Sequence, residues 1–500
     1  MPPLTRADRP FYASSAQWSR THRRPDSIHP LEFVLVALSG AQLCFLSWAF
    51  GGVDVWSEVA SASVSIVALV VALAPRFGGG RQVEGQSRAL PAFGRLVRFP
   101  VFWAGLAGLA YAAVQAVNPA FEYHLSGTAW WLSPRDHVRW LPAGMHAPFA
   151  DMNSWRMMVV WGSAWATSCA LWIGITHRRT ILWLLAILGV NVAALAAFGI
   201  VQRAGGAAGP YGIRAAESPF FFASFVYKNH AAAFLSLLGS VTLGLANQAF
   251  FQSRTRHERS SPAVLFLFFT LIVAVGIVLS FSLSGMVLFG AVGLATAIAA
   301  VWRSVRTSSS TQSKAPIMVT AALLATMAAG LGAGVGYGDL QGGVQRVMEG
   351  KAVASARARW LAAKRGWEMF EDRWAAGWGA GCFRYGFTKY QHREPELTEW
   401  RHARLRWEHA HDDWLETLIE LGVIGVLPIL FATAFWLRQV FRLRLWREPV
   451  LFPVLCGLAA LALHAFWDFP LQSPAVLDTA SALLPLAVRW GEIGDRGRRA

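Results

Sequence analysis

The chain has 500 residues, of which 55% are hydrophobic and only 15% charged. Soluble proteins carry about 25% charged residues, so a soluble globular domain is excluded. The net charge of +16 would suit a nucleic-acid binder. Here, however, the basic residues collect between apolar blocks, as they do in the cytoplasmic loops of membrane proteins. No nucleic-acid partner is expected.

About 30 mostly polar residues precede the first apolar block, which therefore reads as a retained helix and not as a cleaved signal. Twelve apolar blocks follow, at roughly 31–50, 55–74, 99–117, 157–176, 180–201, 222–247, 262–281, 284–302, 315–337, 414–437, 449–467 and 471–490. A membrane-crossing helix takes about 20 residues. With the N-terminus inside, every inside gap is basic. Arg6, Arg9, Arg20, Arg23 and Arg24 come first, and Arg76, Arg81, Arg88, Arg95 and Arg98 follow. Arg178 and Arg179 occupy the next gap, then Arg254, Arg256 and Arg259, then Arg303, Arg306 and Lys314. Arg438, Arg442, Arg444 and Arg447 precede the tail, with Arg489, Arg496, Arg498 and Arg499. A missed helix would invert this alternation downstream.

The expected fold is an all-α polytopic integral membrane protein with about twelve transmembrane helices. A tail at 1–30 leads into helices one to nine (31–337), a large outer loop (338–413), helices ten to twelve (414–490) and an inside tail (491–500). The large loop is rich in Trp, Arg and Lys, and the periodic run Ala356–Arg373 predicts an amphipathic helix. Of Cys44, Cys169, Cys382 and Cys456, only Cys382 lies in an outer loop, so no intramolecular disulfide is expected.

Four constellations carry candidate chemistry. In the first, Lys228, Asn229 and His230 stand at the outer start of the sixth block, with Arg203 and Arg214 just upstream. Charges at such a depth are costly and mark function, although a snorkelling lysine and a capping asparagine would look the same. The second is Trp407–Trp414, in which His409, His411, Asp412 and Asp413 meet the mouth of a helix. An imidazole titrates near neutral pH and suits a general base, while an aspartate there also caps the helix. Glu416 and Glu420 share a face below it. The third is the basic set Arg357, Arg359, Lys364, Arg365 and Arg373, able to hold phosphate oxygens or to pair with Glu368, Glu371 and Asp372. The fourth is His464 and Asp468, four apart and on one face if that segment is helical. The glycine-rich stretch Gly377–Phe383 lacks the strand and helix that flank a phosphate loop and reads as a tight turn. No Cys/His spacing suggests a metal.

These residues resemble the bacterial O-antigen ligase and polymerase superfamily over roughly 190–480. Phe-Val-Tyr-Lys-Asn-His-Ala-Ala (225–232) is similar to the family's Phe-Val-Asn-Arg-Asn-His-Phe-Ala. Arg359-Trp360 through Gly377–Phe383 resembles its loop helix followed by a Gly-x-Gly-x-Gly-x-Phe turn. His411 through Gly422 and Gly425 fits its histidine and Gly-x-x-Gly pattern, and His464–Gln472 resembles its closing motif. Two positions depart from the pattern. Asp412 stands where Asn, Ser or Gln is usual, and Ser282-Leu283-Ser284-Gly285 lacks the arginine of Ser-Arg-x-Gly.

The resemblance implies a periplasmic transfer of a glycan from undecaprenyl diphosphate to an acceptor, with inversion and with neither nucleotide sugar nor metal. The acceptor would be lipid A–core, another glycan repeat or a protein. The setting would be the bacterial inner membrane, with both termini cytoplasmic. The expected catalytic residues are His411 and Arg214. The expected substrate contacts are Lys228, Asn229, His230, Arg357, Arg359, His409, Asp412, His464 and Asp468. A polymerase of the same superfamily is the alternative. A transporter or flippase is a further one, though internal repeats and mid-helix charges are sparse. A structural or sensory membrane protein is the third.

Overall fold

The computed structural model describes residues 28–76, 91–126, 129–214, 221–256, 261–307, 351–400, 403–404 and 406–499. Hydrocarbon offers backbone groups no partners, so apolar stretches satisfy them internally as helices. The long helices are α1 (Pro30–Trp48), α2 (Val55–Leu73), α3 (Pro100–Val117), α4 (Ser154–Gly174), α5 (Arg178–Ala204), α6 (Lys228–Arg256), α7 (Ala263–Leu279) and α8 (Leu283–Thr307). They continue with α9 (Lys351–Asp372), α10 (Asp413–Leu443), α11 (Leu451–His464) and α12 (Pro474–Arg499). Eight helices are long and apolar enough to cross a membrane, and α7 and α11 are shorter apolar helices. The chain is thus a helical, multi-pass membrane protein. The ninth apolar block, 315–337, falls outside the described residues, and each of the other eleven coincides with a helix.

Local chemistry sets several boundaries. Pro30 opens α1 behind His29, whose side chain accepts from the Leu31 amide. Asn153 caps α4 through the Arg156 amide, satisfying a donor that the first helical turn leaves orphaned. The sixth block was expected to start near 222. Instead α6 begins at Lys228, because Phe222 and Phe225 pair their backbones in a tight turn.

Arg76 and Arg489 both donate to the carbonyls at the end of α4. Arg178 reaches the Trp490 carbonyl, and Arg303 reaches that of Trp446. These basic residues gather at one end of the bundle. Inside the bundle, the Asp478 carboxylate accepts from Gln42, Ser61 and Ser163, joining α1, α2, α4 and α12.

At the other end the connecting loops build a cap. Strand β1 (Pro119–Ser126) pairs antiparallel with β2 (Ala129–Pro134) and parallel with β3 (Gly144–His146). An all-α reading misses this small sheet. It forms because Phe121, Tyr123, Trp130 and Leu132 pack one face onto the loop core, with Tyr123 beside Tyr385 and Phe121 beside Trp378. The expected amphipathic helix is present as α9. Its Leu361, Ala362, Met369 and Phe370 bury against Phe383, Phe387, Tyr390 and Ile419. All four cysteines are free.

One helix is broken where it meets the cap. Within α10, Gly422 adopts φ 64°, ψ 179°, a conformation open essentially to glycine alone. The loop after α9 supplies the bonds that the break removes. The amides of Trp378 and Gly379 donate to the carbonyls of Ile419 and Glu420, while the carbonyls of Trp374 and Ala375 accept from Val423 and Ile424. A Cβ at Gly377 would lie 2.2 Å from the Glu420 carbonyl oxygen. The glycine-rich stretch is therefore a splice into a split helix. Its Gly381 and Phe383 amides do meet an acid group, and they donate to the two oxygens of the Glu420 carboxyl.

Candidate active site

The splice fixes the first turns of α10, and the segment Trp407–Asp412 runs into it beside the start of α6 and the end of α11. Asp412 caps α10, its Oδ1 accepting from the Trp414 and Leu415 amides, each at 3.0 Å. Burial pushes this carboxyl above its usual value. Asp413, the next residue, ties its amide to the Ala465 carbonyl at 2.8 Å and accepts from the Leu471 amide at 2.8 Å. These bonds lock the start of α10 to the loop between α11 and α12.

Three of the expected residues, Asn229, His411 and His464, converge there on a fourth, the Asp468 carboxylate. Asp468 is fully buried. The Asn229 amide group donates to its Oδ2, Tyr227 Oη lies 3.3 Å from Oδ1, and the Phe469 amide reaches Oδ1 at 3.0 Å. His411 Nδ1 stands 3.6 Å from Oδ1, and His464 Nε2 lies 4.0 Å from Oδ2. Burial alone would raise the Asp468 carboxyl. The His411 imidazole beside it and the Arg359 guanidinium outweigh that and hold it below the usual carboxylate range. The same carboxylate, together with burial, raises the Tyr227 phenol, which stays protonated as a donor.

Of the four imidazoles around the core of the site, His230 is buried and His411 is the most open. Its side chain is 22% exposed, against 17% for His409 and 2% for His464. Its Nδ1 is buried against Asp468, so Nε2 is the nitrogen left to meet a substrate hydroxyl. The ring sits edge-on to Trp407 and Phe469. Its backbone φ is +53°, the left-handed region that side chains other than glycine avoid.

His409 has a different job. It stacks on Phe469, with centroids 4.4 Å apart, and its Nδ1 lies 2.9 Å from Glu416 Oε1. Burial and the neighbouring Arg384 guanidinium push its imidazole down to about 3. A neutral ring then donates from Nδ1 and offers Nε2 to Arg384, 3.5 Å away. The second oxygen of Glu416 accepts the Ala410 amide at 2.7 Å. His409 and Glu416 thus form a strut under the His411 loop.

The expected cations divide. Arg359 donates to the Trp467 carbonyl at 3.2 Å, next to Asp468. Lys228 Nζ donates to the Phe281 carbonyl at 3.0 Å, in the turn between α7 and α8. His230 Nε2 meets the Phe469 carbonyl at 3.0 Å. Arg214 and Arg357 are not brought to this cluster. Arg214 pairs with Asp54 at 3.0 Å and lies over Phe50, because the segment after α5 folds over the start of α2. Arg357 pairs with Glu396 at 2.9 Å on an exposed face. Arg365 pairs with Glu368 and Glu394, and Arg373 stacks on Phe121 and Trp378. Glu416 and Phe469 were visible in the motifs but had no assigned role. Arg384 gave no signal, since it lies 25 residues from His409.

Below the cluster, α3, α4, α10 and α12 enclose a cavity of about 340 Å³. Its walls are mostly apolar, including Trp161, Leu421, Gly425 and Trp436, with Asp413, Glu420 and Gln472 at the polar end. Among the described residues, no group of three or more His, Cys, Asp or Glu is arranged to hold a metal ion.

Fold and site together define a multi-pass membrane protein with a histidine–aspartate pair at the end of its bundle opposite the basic residues. A family model described as O-antigen ligase matches residues 268–430, and this supports membership of the O-antigen ligase superfamily. The match spans most of α7, then α8, α9, the splice and the first part of α10, with His409, His411 and Arg359. Asn229 and Asp468 lie outside it and join those residues only in space. No curated protein matches the chain significantly.

Proposed function

We propose that this protein is a membrane glycan transferase. It moves an oligo- or polysaccharide from undecaprenyl diphosphate onto an acceptor on the periplasmic side of the bacterial inner membrane, with both termini cytoplasmic. The observation that carries this reading is the His411–Asp468 pair at the outer rim, flanked by Arg359 and next to an apolar cavity. His411 Nε2 takes the proton of the acceptor hydroxyl as its oxygen attacks the anomeric carbon. The bond from that carbon to the diphosphate oxygen breaks on the opposite face, so the anomeric centre inverts. Asp468 holds the ring and offsets the imidazolium charge. The departing lipid diphosphate carries the negative charge, and Arg359 and Lys228 are the cations proposed to meet it. Asn229, His230, His409, Asp412 and His464 hold this frame without touching the reacting atoms.

The first test is a deletion strain complemented with wild type or His411→Ala, with surface glycans resolved by length. Polymer no longer joined to lipid A–core identifies a ligase. An acceptor carrying a single repeat identifies the polymerase alternative. Normal glycan from His411→Ala removes His411 as the base, and an unchanged profile in the deletion itself sinks the reading for these glycans.

A further inference from the structure

Helix α9 carries a feature that transfer chemistry leaves unused. Its inner face packs into the cap core through Leu361, Ala362 and Met369. On the opposite face Trp360 is 62% exposed and Trp367 50%, and Trp374, just past the helix end, is 59% exposed. A seven-residue step advances about 10.5 Å along a helix and turns only about 20°. Trp360 and Trp367 therefore share one narrow stripe facing away from the protein, and the exposed Trp374 follows them just past the helix end.

The two ends of the stripe fix what lies against it. The Trp374 carbonyl accepts the Val423 amide at 2.8 Å. Val423 begins the outward face of α10, where Ile424, Leu427 and Leu430 are exposed on a helix long and apolar enough to span a bilayer. At the other end Arg359 bonds the Trp467 carbonyl, beside the exposed Leu463 and Phe466 at the outer end of α11. The stripe thus runs between two surfaces that lipid covers. Indoles favour this depth, where an apolar ring and a polar N–H are both accommodated. A sugar platform would need polar side chains converging beside the rings. Ala356 and Ala363 flank the rings on one side, and on the other the polar groups are already engaged, Arg357 with Glu396 and Lys364 and Glu371 with the rings themselves. Lys364 lies over the Trp360 ring, and Glu371 accepts the Trp367 Nε1 proton.

We propose that α9 lies flat on the outer-leaflet phospholipid surface, with Trp360, Trp367 and Trp374 seated about 5–10 Å into the headgroup region. The stripe sets the height of Arg359 on that surface, and with it the height of the His411–Asp468 pair. This docking stands independently of the transfer reading.

The test uses full-length protein in vesicles of phosphatidylethanolamine and phosphatidylglycerol. Nitroxides are placed by Ala356→Cys and Ala363→Cys, which flank the stripe and leave every tryptophan in place. His392→Cys, on an exposed loop, is the aqueous control. A monodisperse elution profile qualifies each variant, and Lys364→Cys stands in for one that fails. The expected result is greater access to oxygen than to a water-soluble nickel chelate at 356 and 363, with the reverse at 392. Nickel access at 356 and 363 equal to that at 392 overturns the proposal. So does nickel access at those sites that falls only when soluble oligosaccharide is added, which would make the stripe a glycan platform.

Discussion

At His411 the backbone and the chemistry pull in opposite directions. A left-handed conformation costs a residue other than glycine about 1–2 kcal/mol. The bonds of Asp413 to Ala465 and Leu471 hold it there. His411→Gly should therefore be more stable than His411→Ala by about 1 kcal/mol, while both lose about 10²–10⁴-fold in transfer rate. Thermal unfolding in detergent, paired with a transfer assay, tests both halves; equal melting of the two variants would remove the strain argument. A second residue-scale prediction concerns acid. A free imidazole titrates near 6.5, whereas buried His409 is held down to about 3. Between those values the unfolded chain binds the extra proton, so the contribution of His409 to stability falls as pH drops through that window. Asp468, held low by His411 and Arg359, loses its contribution progressively as pH falls through the usual carboxylate range and below it. His409→Gln keeps a donor for Glu416 and removes the titration. It should flatten the decline between about pH 6.5 and pH 4, as read from unfolding midpoints across pH, and an unchanged slope would count against a neutral buried His409.

The same difference between a visible residue and an invisible reason recurs in the elements. Gly422 and Gly425 stood out in the sequence as Gly-x-x-Gly, yet nothing local says that the helix breaks there. The cause is a loop some 40 residues earlier, whose amides and carbonyls complete the split ladder. A Cβ at Gly422 would sit 2.4 Å from the Ala375 carbonyl oxygen, and neither backbone can retreat without losing bonds. Gly422→Ala should cost on the order of 3 kcal/mol, and the loss should appear as an earlier thermal transition. A variant melting like wild type would mean that the splice is dispensable. The strands at 119–146 were hidden for a related reason, because they depend on Tyr385 and Trp378 far along the chain. By contrast, α9 and the spanning helices follow from periodicity and apolar length alone, which are local properties.

Over the whole molecule, the alternation of basic gaps foresaw that Arg76, Arg178, Arg303 and Arg489 would share one end, opposite the histidines. It did not foresee what joins the helices between those ends. Apolar side chains gain nothing from leaving lipid for one another, so small-residue packing and interhelical hydrogen bonds carry the association. Asp478 is the clearest case. It is fully buried, and its Oδ2 accepts from Gln42 at 3.0 Å, Ser61 at 3.1 Å and Ser163 at 2.6 Å. Three bonds of this kind amount to roughly 2 kcal/mol, spread over four helices. Asp478→Leu keeps the bulk but removes the acceptor. The hydroxyls of Ser61 and Ser163, 2.9 Å apart, then retain each other and the Gln42 amide as donor, but lose the carboxylate as acceptor. Unfolding in mixed micelles with increasing dodecyl sulfate should begin earlier for Asp478→Leu than for Asp478→Asn, which keeps an oxygen for the same donors. If both variants unfold alike and later than expected, the bundle is held by packing and the polar knot is incidental. If only the leucine variant loosens, one carboxylate sets how the spanning helices register against each other, and so how the platform under His411 is held.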